Sequence, residues 1–256
     1  MQGIGVLIFT PMRWDLWLVL VVLGIIVPWR GSVRVRKLLS QPDLSSLERI
    51  SVYASTIAFQ WLAAVIVFWR AMVRCISLTS LALAIPNRAR TILISIGFAA
   101  LLTGYQLLGI RRMASLPREK QGFNGELVRK LMPRNSVELL AFMALVATVA
   151  LCEEFLYRGF VQSIFGFQIW RSATAGVIVS AAFFSAAHLY QGRRGLLVTF
   201  LAGILFAVVR QLTGSLLPTM LAHFAADFVA GALGWRLISG AGARLASGST
   251  DGAVDL

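Results

Sequence analysis

Acidic residues are scarce in this chain, and between residues 139 and 250 only three occur, Glu153, Glu154 and Asp227. Charge of either sign is thin. Asp, Glu, Lys and Arg make up 14% of the 256 residues, against about 25% in a soluble domain. There are two cysteines, Cys75 and Cys152. Both lie in apolar surroundings, at a spacing that fits neither a metal motif nor a disulfide framework. No small-residue cleavage site follows the first apolar run, so that run is expected to stay as a span. The net charge is +13, yet no strip of interleaved basic and aromatic residues suggests a nucleic-acid surface, and no nucleic-acid partner is expected. Internal repeats are not visible.

Apolar residues are what the chain has in plenty. They amount to 58% of the sequence, and the mean hydropathy is +0.78. So much apolar surface has to face something other than water, and a span needs about 20 mostly apolar residues to cross the hydrocarbon core. Runs long enough to cross lie at 14–29, 50–69, 91–110, 137–165, 172–190, 195–210 and 213–235. The stretch 71–86 is apolar but short, and suits a short span, a re-entrant piece or an interfacial helix. The expected fold class is therefore all-α, a polytopic transmembrane bundle of seven or eight spans in contact with lipid, with seven preferred. Residues 1–256 read as a single membrane domain, and the tail after Ser239, rich in Gly, Ala and Ser, is expected to be disordered.

The basic residues lie between the apolar runs, where they orient spans. The segment 30–49 carries Arg30, Arg34, Arg36, Lys37 and Arg49, and the segment 111–136 carries seven Lys or Arg residues. If both are cytoplasmic loops, an even number of crossings separates them. Seven crossings then put the N-terminus outside and the C-terminus inside, and an eighth would strand one basic loop outside.

Five ionisable residues sit within or near the ends of the later apolar runs. They are Glu153, Glu154, Asp227 and the two histidines of the chain, His188 and His223. An ionisable group at the bilayer centre costs on the order of 2.5–3.5 kcal/mol by insertion scales, so such groups read as functional by default. Glu154 and Arg158 are four apart and share a helix face, which allows a charge-assisted pair. Phe184 and His188 have the same spacing, as do His223 and Asp227. A purely structural reading accounts for Glu154 with Arg158 but leaves the other four groups to be satisfied.

The segment Cys152-Glu-Glu-Phe-Leu-Tyr-Arg-Gly159 resembles the EExxxR motif of the CPBP family, the CAAX proteases and bacteriocin-processing enzymes, also called Abi-like. Phe184-Ser-Ala-Ala-His188 resembles its FxxxH motif, and His223-Phe-Ala-Ala-Asp227 its third motif, HxxxN or HxxxD. Thr213-Gly-Ser-Leu-Leu-Pro218 looks like the helix start that precedes the third motif. The resemblance covers residues 137–233, the expected catalytic core, and leaves the spans within 1–136 without an assigned role.

The resemblance implies an intramembrane endopeptidase acting on a membrane-associated protein or peptide. It implies that Glu153 activates water together with His188. Glu154 and Arg158 would orient and polarise the site, and His223 and Asp227 would bind the oxyanion or complete a metal site. The chemistry stands by itself: water beside a scissile carbonyl needs a base of tuned basicity, and the developing oxyanion needs a donor or a cation. Asp227 stands where many members of the family have Asn, and an ionised Asp cannot donate to an oxyanion. It suits a metal better, because two imidazoles plus carboxylates with one open position make a catalytic zinc pattern. Glu153, His188, His223 and Asp227 are thus candidate ligands for Zn2+, with a glutamate-only mechanism as the alternative.

Other intramembrane protease classes lack their signatures, since the chain has no HExxH, GxSxG or GxGD sequence. Two further functions compete. Buried Glu, His and Asp residues also serve proton-coupled transporters, although the inverted repeats of many carriers are missing. A catalytically silent scaffold or immunity protein would keep the same fold. The expected location is a bacterial inner membrane.

Overall fold

The computed structural model describes residues 14–247, with side chains to residue 234. Every regular element among them is helical. Helix α1 spans Trp14–Ser40, α2 Ser46–Val73, α3 Arg88–Ala114 and α4 Gly122–Leu131. Helix α5 spans Ser136–Ile169, α6 Ala173–Ala187, α7 Gly192–Thr213 and α8 Leu217–Ser247. Six helical stretches are long and apolar enough to cross a membrane: Trp14–Ser40, Ser46–Val73, Arg88–Ala114, Ser136–Ile169, Leu189–Thr213 and Leu217–Gly234. Helix α6 is apolar but shorter. The protein is an integral, multi-pass membrane protein, and this bundle bears out the polytopic all-α expectation.

Local chemistry sets the helix starts. Ser45 and Glu48 form a reciprocal capping box at the head of α2, and the side chains of Asn87, Asn135 and Ser172 cap α3, α5 and α6. Between α7 and α8, Gly214 takes the left-handed conformation at φ 65° that ends α7. Where α6 crosses α5, a Cβ added at Gly176 would fall 2.7 Å from the carbonyl oxygen of Gln162. Any larger residue there would push the two helices apart. Small residues at such crossings are how membrane helices gain contact without a hydrophobic driving force.

The main apolar core is centred on the second half of α5. Phe155, Leu156, Tyr157, Phe160, Val161 and Ile164 are buried there against α1, α2 and Phe184. Large apolar side chains on the outside, such as Leu62, Val65, Leu93, Ile96, Leu140 and Leu201, stay exposed and form the surface that faces lipid.

Two segments differ from the reading of the sequence. Helix α1 does not end at Trp29 but continues to Ser40, so Arg30, Arg34, Arg36 and Lys37 lie on a helix and not in a loop. Nothing between residues 30 and 40 forces a break; Arg and Lys are good helix formers, and the chain turns only at Gln41-Pro42. Arg49 is not a loop cation either. It is 1% exposed and pairs with Glu138 at 3.0 Å. The disordered tail expected after Ser239 is helical through Ser247, and the remainder lies outside the described residues.

The short apolar stretch 71–86 also resolves. After α2 ends at Val73, residues up to α3 form turns and no helix. Non-helical backbone at membrane depth is tolerated only where protein satisfies its polar groups, and here protein does so. The Ala82 carbonyl accepts from the Leu216 amide at 2.8 Å. The Ser80 carbonyl accepts from Ser163 Oγ and from Arg210 Nη2. Leu81 and Ala82 are buried in the main core.

The two ends of the bundle carry separate ionic ties. At one end Asp15 of α1 accepts from both Arg70 of α2 and Arg74 just past its end. At the other, Arg134 pairs with Asp43 at 2.8 Å, and the Lys130 ammonium donates to the Leu38 and Leu39 carbonyls at the end of α1. The first tie places a carboxylate beside the two arginines opposite the basic loops. That neutralises positive charge on the face where the seven-crossing topology puts the outside.

This topology has a direct test. Cysteines placed in 41–45 and 115–121 are expected to resist an impermeant maleimide in intact cells. The native Cys75, exposed in the 74–87 segment, is expected to react from outside. Labelling of either basic loop from outside would overturn the orientation.

Candidate active site

Helix α5 carries the first motif at a change of helical winding. It is α-helical to Glu153, then forms π turns over Glu154–Val161 and Ile164–Ile169. Short π segments inside α-helices are frequent at functional sites. Adjacent helical residues point in different directions, so the paired glutamates face different surroundings. Glu153 is half-buried and lines a cavity; Glu154 is wholly buried beneath it.

Glu154 is the hub of the buried part. Its Oε1 accepts from Arg158 Nη1 at 3.0 Å and from His223 Nδ1 at 3.1 Å. The Arg158 guanidinium carbon lies 4.0 Å from the ring centre of Phe184 and 5.1 Å from that of Phe206. The Phe of the second motif therefore serves the Arg of the first. Among the described residues neither Glu154 Oε2 nor Arg158 Nε and Nη2 has a hydrogen-bond partner, so charge pairing and the aromatic faces hold the guanidinium.

The second motif ends α6. His188 caps the helix, and its Nδ1 lies 2.8 Å from the Phe184 carbonyl oxygen. A carbonyl can only accept, so Nδ1 carries the proton and Nε2 is left as the basic nitrogen. The third motif lies in the second turn of α8. His223 Nε2 faces Asp227 Oδ2 at 3.5 Å, which is an electrostatic contact longer than a good hydrogen bond.

A cavity of about 440 Å³ gathers Glu153, His188, His223 and Asp227 on its wall. Of the six residues singled out in the sequence, these four meet in one open space, while Glu154 and Arg158 lie behind it. The rest of the wall is largely apolar and comes from α1, α2 and α5, including Val27, Val52, Phe59, Phe142 and Leu156.

Sequence reasoning missed a polar residue on that wall that bonds one of these four groups. Gln60 of α2 donates from Nε2 to Glu153 Oε1 at 2.8 Å. Among the described residues Glu153 Oε2 has no partner, and it is buried. The signal was present as an amide in the middle of an apolar span, but an uncharged residue draws less attention than an acid.

The zinc expectation can be set against the donors themselves. Both nitrogens of His223 already face carboxylates, whereas His188, with Nδ1 on the backbone, keeps Nε2 available as a donor. Among the described residues no group of three His, Cys, Asp or Glu side chains is placed to hold a metal ion. As placed, Glu153, His188, His223 and Asp227 share a cavity wall without forming a ready three-donor group.

The three motifs, in order, surround one cavity inside a helical membrane protein. Residues 135–229 match the Rce1-like family, the type II CAAX prenyl endopeptidases. The match runs from the cap of α5 to just past Asp227, and it bears out the resemblance read from the motifs. Over this segment the chain is similar to the CAAX-protease family. Gln60 and all of α1 to α4 lie outside the Rce1-like segment. No curated protein and no solved structure matches the chain.

Proposed function

We propose that the protein is an intramembrane endopeptidase in which Glu153 removes a proton from the attacking water. The observation that carries this reading is the state of its carboxylate. Gln60 holds Oε1, and Oε2 is buried, unpaired and on the cavity wall. A buried oxygen without a partner is costly, and a bound water would satisfy it.

In this reading Glu153 takes the proton and the hydroxide adds to the scissile carbonyl. His188 Nε2, the basic nitrogen on the same wall, accepts a hydrogen bond from the same water. His223 is held through Nδ1 by Glu154, and its Nε2, only loosely engaged by Asp227 at 3.5 Å, supplies the N–H for the oxyanion. Asp227 acts on His223 and not on the oxyanion, because an ionised carboxylate cannot donate. Protonated Glu153 then returns its proton to the leaving amine. Glu154 and Arg158 are positioning residues that fix His223 from below.

The apolar wall suits a peptide segment that is itself embedded in or attached to the membrane. The setting we propose is a bacterial inner membrane, with peptides or other membrane proteins as substrates. Comparison of protein termini in membranes carrying the wild-type or the Glu153→Gln protein tests this. New termini that depend on the wild type are expected. Identical termini, with both proteins present at equal levels, would favour a silent scaffold or a proton relay instead.

Two further outcomes are expected. Gln60→Leu removes a hydrogen bond to a charged group, so kcat should fall roughly 10-fold to 100-fold while KM stays close to wild type. An unchanged kcat would make the Gln60 bond peripheral. In the glutamate-only mechanism, turnover should persist in chelator. Stoichiometric zinc whose removal stops cleavage would show that the imidazoles rearrange around a metal.

A further inference from the structure

The same cavity has a second charged feature, on a helix outside the Rce1-like segment. Arg30 and Arg34 of α1 both line it. They are four residues apart, so they share one face of the helix and repel each other. Several cations near the bundle ends have acids, since Arg49 has Glu138, Arg70 and Arg74 share Asp15, and Arg134 has Asp43, while Lys130 is met by backbone carbonyls. Among the described residues neither Arg30 nor Arg34 pairs with a carboxylate. Arg34 donates only to neutral acceptors of α2, the Val52 carbonyl and Ser55 Oγ. Arg30 rests over the Phe59 ring with its guanidinium carbon 4.7 Å from the ring centre, which leaves its N–H edges free.

We propose that Arg30 and Arg34 form an anion subsite of this cavity that takes a carboxylate of the substrate. The proposal rests on the peptidase reading for the word substrate. Its physical basis is the uneven charge of the wall. Glu153 and Asp227 repel a carboxylate from the water-activating end, and the two guanidinium groups attract it on the α1 side. The anchor points on α2, Ser55 for Arg34 and Gln60 for Glu153, are separated by about 7.5 Å of helical rise, so one bound peptide reaches both ends. A guanidinium presents two parallel N–H groups to a carboxylate, and such charge-assisted bonds strengthen where water is excluded. The subsite would therefore set which way a peptide lies across Glu153.

Carboxylate can come from a chain terminus or from an acidic side chain, and two probe pairs distinguish them. The first pair is N-lauroyl-Leu-Ala-Leu as free acid or as carboxamide. The second is N-lauroyl-Leu-Asp-Leu-amide against its Asn counterpart. Binding is measured on the full chain carrying Glu153→Gln, in phosphatidylcholine nanodiscs. The expected result is about tenfold tighter binding of the acid member of one pair. The preferred pair names the source. That preference should vanish in Arg30→Gln/Arg34→Gln and persist in Arg30→Lys/Arg34→Lys. Because it is a ratio within one preparation, a partly misfolded sample does not mimic its loss.

Equal binding of acid and neutral probes in both pairs would overturn the subsite. A preference erased by phosphatidylglycerol in the nanodisc would overturn it too, by assigning the arginines to lipid headgroups. If the wild type cleaves no peptide while the acid preference and its arginine dependence hold, the peptidase reading fails and the anion subsite stands.

Discussion

In the Glu153→Gln protein, cleavage is expected to fall by at least the roughly 10²–10⁴-fold that general-base catalysis supplies. The substitution is nearly isosteric. The amide oxygen can still accept from Gln60, now 2.8 Å from Glu153 Oε1, so the contact between α2 and α5 survives. What the amide lacks is a basic site for the proton of water. The folded yield and the binding of uncleaved peptide should therefore stay close to wild type, which separates a chemical defect from a folding defect. His188→Ala and His223→Ala are expected to stop turnover as well. His188→Ala removes the second basic atom on the cavity wall, and His223→Ala removes the link between Glu154 and Asp227. A Glu153→Gln protein that cleaves at the normal rate would remove the catalytic assignment. The buried acids would then have to be read as a relay or as a structural knot.

The site was more legible than the scaffold around it, and the reason is physical. Ionisable side chains are expensive inside a bilayer, so Glu153, Glu154, His188, His223 and Asp227 stand out against their apolar neighbours without any structure. Their four-residue spacings already placed Glu154 beside Arg158 and His223 near Asp227, and both contacts are present. The spacing could not reveal contacts between helices far apart in sequence. Gln60 bonding Glu153, Arg49 pairing with Glu138 across 89 positions, and Asp15 bridging two arginines are all of this kind. Nor does hydropathy show where an apolar segment stops being helical. The segment between α2 and α3 is as apolar as a short span. It is held as turns by the Leu216 amide, Ser163 and Arg210, which lie far along the chain. Hydropathy also places the end of a span at its last apolar residue. It misses a helix such as α1, which runs on through Arg and Lys to Ser40.

These contacts also change what the first half of the chain is for. The Rce1-like segment supplies the motifs, yet the cavity wall is completed by α1 and α2. Gln60 fixes the orientation of the carboxylate that the proposed water chemistry uses. The N-terminal helices are therefore part of the site, and a fragment limited to 135–229 would leave Glu153 without its amide partner and the cavity without much of its apolar wall.

The largest expected effect on stability belongs to Arg158→Ala. Arg158 and Glu154 are both wholly buried, and their 3.0 Å pair is sealed from water. Removing one partner of such a pair costs about 3–5 kcal/mol in comparable soluble proteins, because the other charge is left uncompensated. His223 cannot make up the loss, since it already donates to the same oxygen of Glu154. The truncation would also leave the facing rings of Phe184 and Phe206 without the cation between them, which adds a packing defect at the base of α6. The Arg158→Ala protein should thus show a lower melting temperature in detergent, a reduced folded yield and no activity. Arg158→Lys should recover little, because a compact ammonium lacks the planar group that lies between two rings. The double variant Glu154→Leu/Arg158→Leu provides the decisive comparison. Replacing a buried pair with apolar residues is often neutral for stability, so melting should recover while activity stays absent, because His223 has lost its anchor. If the single Arg158→Ala protein melts normally and cleaves, the pair is peripheral and Glu154 is held by His223 alone. If the double variant is both stable and active, the chemistry needs only the cavity wall, and the buried pair serves neither folding nor the orientation of His223.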